Sequence, residues 1–67
     1  MAKTEIKLTL DLHGPGGNAF FILGKVRRAL IQVGYDELAE EFMKEACSDD
    51  YEHLLKTVSE YVEVEFE

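Results

Sequence analysis

Glu5-Ile6-Lys7-Leu8-Thr9-Leu10-Asp11-Leu12-His13, followed at once by Gly14-Pro15-Gly16-Gly17-Asn18, is the stretch that decides the fold. Ile6, Leu8, Leu10 and Leu12 alternate with Lys7, Thr9, Asp11 and His13, the period of two that a half-buried strand requires. The strand must stop at the glycines. Residues without a Cβ tolerate positive φ there, and Pro15 has no N–H to give to a ladder. Asn18 then stands where a short polar side chain caps a helix.

Downstream, the period changes to that of helices. Ala19, Ile22, Leu23, Val26, Leu30 and Val33 form one face of a first helix, which Phe20 and Ile31 widen. Gly34 suits the left-handed position after its end. Phe21 falls off that face and shares its side with Lys25, Arg28 and Gln32. Asp36 can cap a second helix carrying Leu38, Ala39, Phe42, Met43 and Ala46, which ends near Cys47. Asp49 and Glu52 have the spacing of a capping box, opening a third helix with Tyr51, Leu54, Leu55 and Val58 on one face. From Tyr61 to Glu67, Val62, Val64 and Phe66 alternate with Glu63, Glu65 and Glu67, and the β-branched residues favour a closing strand. The expected fold is α+β: one β-α-α-α-β domain over residues 1–67, a two-stranded sheet packed on helices. Lys7 should share the sheet's polar face with Glu63 or Glu65. Strand direction is left open by the pattern.

Composition sets the next limits. The chain has 67 residues, and a domain so short removes only about 60% of its unfolded surface from water when it folds alone. Cys47 has no second cysteine to pair with, and His13 and His53 lack the spacing of a metal site. A homo-oligomer is therefore the expected source of additional stability. No apolar run is long enough to span a membrane, and the free thiol suits the cytoplasm. The net charge of −7 argues against a nucleic-acid polymer as partner. It conceals an asymmetry. Lys3, Lys7, Lys25, Arg27 and Arg28 oppose Glu5 and Asp11 up to Gly34, for +3, whereas from Tyr35 twelve acids face Lys44 and Lys56, for −10.

Chemistry points to the glycine-rich loop. Backbone N–H groups at a helix start, exposed by residues lacking Cβ, attract anions. On this reading Gly14, Gly16 and Gly17 give backbone access, Asn18 caps and donates, His13 meets phosphate or base, and Phe21, Lys25 and Arg28 add aromatic surface and charge. The loop matches neither G-x-x-x-x-G-K-[ST] nor G-x-G-x-x-G, and a tight turn with a solvated His13 is the plain alternative. Catalysis has little to work with: Asp11 and His13 alternate on one strand face, but no serine or cysteine nucleophile is placed beside them. Cys47 sits among acids, a poor setting for a thiolate. No enzyme, metal or cofactor is expected. The acidic second helix, with Asp36, Glu37, Glu40, Glu41 and Glu45, is either a solvated face or a phosphate mimic that occupies a basic groove of a nucleic-acid enzyme.

Residues 11–20, Asp-Leu-His-Gly-Pro-Gly-Gly-Asn-Ala-Phe, with Asp50-Tyr51-Glu52-His53-Leu54-Leu55, resemble a group of very short bacteriophage and prophage proteins, over nearly the whole chain. The resemblance implies origin more than mechanism: small phage proteins usually bind, either inhibiting a host or defence protein or sequestering a defence system's nucleotide signal. The leading expectation is thus sequestration of a phosphate-bearing small molecule through the His13–Asn18 loop. Inhibition of a host protein by the acidic helices is the alternative.

Overall fold

The computed structural model describes residues 2–11 and 18–66. Along the chain come β1 (Lys7–Leu10), α1 (Ala19–Gln32), α2 (Asp36–Ala46), α3 (Tyr51–Tyr61) and β2 (Glu63–Phe66), the β-α-α-α-β order expected. The two strands are parallel, with Lys7 opposite Glu63, Leu8 opposite Val64, Thr9 opposite Glu65 and Leu10 opposite Phe66. All three helices thus lie within one crossover, since parallel strands cannot be joined by a tight turn. Lys7, Thr9, Glu63 and Glu65 are all exposed, as the alternation requires.

Each helix boundary has a local cause. Asn18 accepts a hydrogen bond from the Phe20 N–H at 2.8 Å and caps α1. At the other end Gly34 adopts φ 89°, Tyr35 donates to the Leu30 carbonyl at 2.9 Å and Gly34 donates to Ile31 at 3.0 Å. These paired bonds form a Schellman motif, which satisfies carbonyls the helix leaves open. Asp36 is not the cap of α2. It is the first helical residue, Tyr35 holds the cap position without a side-chain bond, and Asp36 and Glu37 instead place charge against the helix dipole.

The expected box at α3 is also displaced by one residue: Asp50, not Asp49, caps, accepting from the His53 N–H at 3.0 Å, while Asp49 accepts from the Asp50 N–H at 2.9 Å. His53, half-buried, reaches back so that Nε2 lies 3.1 Å from the Glu45 carbonyl, 3.2 Å from the Glu45 carboxylate and 3.3 Å from the Ser48 hydroxyl. This contact ties the start of α3 to the end of α2 and sets the register of the turn.

Phe42 is fully buried at the centre, among Ile22, Val26 and Leu30 of α1 and Leu54 and Val58 of α3. Tyr61, read from sequence as the start of the last strand, is instead the last residue of α3. Its ring meets that of Phe42 edge-on, with centroids 5.5 Å apart. Phe20 and Ile31 do not widen the buried face of α1. They are exposed, as is Val33, because α1 packs against α2 and α3 through one side only.

The N-terminal segment holds the end of α3. Lys3 and Thr4 donate backbone N–H groups to the Glu60 and Tyr61 carbonyls, the Thr4 hydroxyl donates to Tyr61 at 2.7 Å, and Glu63 donates to Ile6 at 2.8 Å. The buried Thr4 hydroxyl also accepts from the Ile6 N–H. Above it, Lys3 Nζ sits 2.9 Å from the Glu41 carboxylate and 4.5 Å from the centroid of the Tyr61 ring. The Glu41 partner raises the Lys3 pKa, Lys3 lowers that of Glu41, and burial raises that of the Tyr61 phenol.

Replacing Thr4 by Val keeps the shape but leaves the Ile6 N–H unpaired, and should cost about 1–2 kcal/mol in urea unfolding. The titrating groups fix the pH limits. Raised folded-state values at Tyr61 and Lys3 mean stability present at neutral pH and lost as pH rises beyond about 10, where the unfolded groups ionise or deprotonate first. The lowered value at Glu41 means stability lost as pH falls through the carboxylate range. Tyr61→Phe should reduce the alkaline limb of a stability–pH curve to the part that Lys3 supplies and should shrink the acid limb, because the Tyr61 hydroxyl also helps hold the Glu41 carboxyl down, second to Lys3.

Candidate groove on the outer face of α1

The face of α1 turned away from the core is not simply solvated. Phe20 is 85% exposed and Phe21 52%, both in the first turn, and each is a large apolar surface left in water. Together with Leu8 of β1 they border a groove of about 510 Å³ whose other walls are Gly24, Lys25, Arg28, Ala29 and Gln32. Its size lies within the range of small-molecule sites, roughly 300–1,000 Å³. Helical spacing explains the grouping: Phe21, Lys25, Arg28 and Gln32 are separated by four, three and four residues, so they line one side of α1.

Three of the residues singled out from sequence, Phe21, Lys25 and Arg28, are therefore brought together. Asn18 is confirmed as the cap at the head of the same helix and is not a wall of the groove. His13, Gly14, Gly16 and Gly17 lie outside the described residues.

The two cations differ in setting. Lys25 Nζ donates to the Thr9 carbonyl of β1 at 2.9 Å, which fixes the ammonium at the strand side of the groove and leaves further N–H groups to offer. Arg28, among the described residues, has no hydrogen-bonded or ionic partner. A guanidinium that the described residues leave unpaired presents its donor fork to the groove. Positive charge, a planar donor and aromatic surface within two helical turns are the elements that recognise a phosphate attached to a flat ring.

Sequence reasoning missed Phe20, Gly24 and Leu8 as walls. Phe20 was assigned to the core because its position adjoins the apolar stripe. Gly24 carried a signal that could have been read, since an interior helix glycine destabilises by about 1 kcal/mol relative to alanine. A Cβ built at Gly24 meets nothing within 4 Å, so no packing among the described residues accounts for it.

The acidic helix is partly committed to internal contacts: Glu41 binds Lys3 and Glu45 faces His53, while Glu40 is exposed. No group of three or more His, Cys, Asp or Glu side chains among the described residues could hold a metal. No helix among them is long and apolar enough to cross a membrane. Comparison with protein-family models, characterised proteins and solved structures gives no match.

Asn18→Ala removes the cap at the head of the groove's helix and should destabilise the fold by about 1 kcal/mol, with Asn18→Asp restoring it. Thermal unfolding of the two variants beside the parent checks this.

Proposed function

We propose that this chain is a phage-type, non-enzymatic binding protein that sequesters a phosphate-bearing small molecule of the nucleotide type, counteracting a host defence signal from within a homo-oligomer. The observation that carries the reading is the groove in which Phe21, Lys25 and Arg28 stand together beside β1. Anion and ring can be met at once there, by Arg28 and Lys25 and by the exposed phenylalanines. The loop His13 to Gly17 enters the reading through its position in sequence, immediately before the capped start of α1, where free N–H groups favour a phosphate.

Oligomerisation fits the same picture. The groove is open along one side, and a second subunit would bury a ligand that one short chain leaves half in water. Among the described residues Phe20, Phe21, Ile31, Val33, Tyr35, Tyr51 and Phe66 are exposed, and Phe20 and Phe21 stand together at the groove, where a second subunit could cover them. Inhibition of a host protein by the acidic face of α2 has less support, because Glu41 and Glu45 already serve contacts inside the chain.

Native mass spectrometry of protein taken directly from cells, then mixed with mono-, di- and cyclic nucleotides, should give a multimer that retains a phosphate-bearing mass. Arg28→Glu should reduce nucleotide affinity at least tenfold, and Gly16→Ala with Gly17→Ala should abolish it with the multimer intact. Charge reversal at Glu40, Glu41 and Glu45 should leave nucleotide binding in place. A ligand-free protein that ignores every nucleotide, yet captures a basic host protein only while those three glutamates are present, would reverse the order of the two readings.

A further inference from the structure

We infer that the ring of the bound nucleotide lies flat on the α1 backbone at Gly24, which makes Gly24 the residue that selects a base-bearing phosphate over phosphate alone. The inference rests on the nucleotide reading of the groove and adds the binding mode.

Its starting point is a glycine that nothing among the described residues requires. Gly24 is in the middle of a 14-residue helix, is exposed, has no positive φ, and has open space where a Cβ would stand. Alanine would fit and would favour the helix. What glycine uniquely supplies at such a site is close approach to the backbone by something from outside the chain.

The neighbours say what approaches. Gly24 is a wall of the groove, one turn beyond Phe20 and Phe21 and one turn before Arg28. The interval from Phe21 to Arg28 is seven residues, roughly 10 Å along the helix at 1.5 Å per residue. That gap is bordered by exposed aromatic carbon at one end and, at the other, a guanidinium with no partner among the described residues. A planar ring fits the gap edge to edge with the phenylalanines, lying on bare backbone, and its attached phosphate reaches Arg28 and the remaining donors of Lys25. Lys25 is already fixed to the Thr9 carbonyl, so the cation is positioned before the ligand arrives.

An inorganic or sugar phosphate uses the cations and ignores Gly24. A nucleotide uses both.

The test compares the full chain with Gly24→Ala and Gly24→Leu by calorimetric titration with adenosine diphosphate, guanosine diphosphate and ribose 5-phosphate, alongside thermal unfolding and native mass. Gly24→Ala should raise the melting temperature by about 4 °C or more, as relief of an interior helix glycine does in a domain of this size. It should also weaken nucleotide binding at least tenfold and leave the weak affinity for ribose 5-phosphate unchanged. Gly24→Leu should remove nucleotide binding altogether. Gly24→Ala binding nucleotides as tightly as the parent would overturn the inference while the function stands. So would a change in subunit number in Gly24→Ala, which would give the glycine to a subunit contact. A parent chain that binds neither nucleotide overturns the proposed function and this inference with it.

Discussion

Everything in this fold depends on holding the two ends of the chain side by side in parallel. A parallel pair cannot be closed by a turn, so β1 and β2 meet only after three helices have been packed between them. Two strands of four residues supply few hydrogen bonds for that task. The deficit is met just before the sheet begins, where Lys3 and Thr4 bind the carbonyls of Glu60 and Tyr61. Those carbonyls belong to the C-terminal turn of α3, which has no intrahelical donors for them. One short segment thus caps a helix and sets the strand register in the same set of bonds.

The clamp also connects to the core. Tyr61 lies under Lys3 and edge-on to Phe42, the largest fully buried side chain, and Phe42 comes from α2. With α2 and α3 anchored in this way, α1 needs only one face for packing. Among the described elements its other side meets only β1, through Lys25 on the Thr9 carbonyl and through Leu8, and it is there that Phe20, Phe21 and Arg28 stand exposed. The exposed groove is therefore a consequence of topology: three helices on a sheet of only two strands leave the first helix half covered.

How much of this was legible in the sequence follows from which forces are local. Alternation at Leu8 and Leu10, the cap at Asn18 and the turn at Gly34 are set by neighbours a few residues away, and each stands where the pattern put it, although among the described residues the strand is shorter than expected: Glu5, Ile6 and Asp11 lie outside Lys7–Leu10. The displaced features are decided at longer range. Asp49 and Asp50 are equivalent cap candidates to a local reading, and the contact of His53 with Glu45 on the preceding helix accompanies the choice of Asp50. Tyr61 adjoins alternating residues and looks like strand, but packing on Phe42 holds it in the helix. Phe20 looks like core because hydrophobicity alone does not say which side of a helix will find a partner. Within the groove, Phe21, Lys25 and Arg28 could be grouped from helical spacing, whereas the bond from Lys25 to Thr9 depends on how α1 crosses β1 and has no signature in sequence.

Several departures from local rules gather in one place. Exposed Phe20 and Phe21, an interior glycine with space around it and an arginine without a described partner all lie along one face of one helix. Elsewhere the chain is locally consistent: no buried side-chain polar atom among the described residues lacks a partner, and α1 and α3 carry side-chain caps. A small domain has little stability to spare, and each of these departures works against the isolated monomer. Departures scattered at random would suggest indifference to stability. Exposed apolar residues also stand outside the groove, but only there do they meet an interior glycine and two cations, and that combination is what the proposed binding role rests on, since conflicts between local preference and global fold concentrate where function requires them.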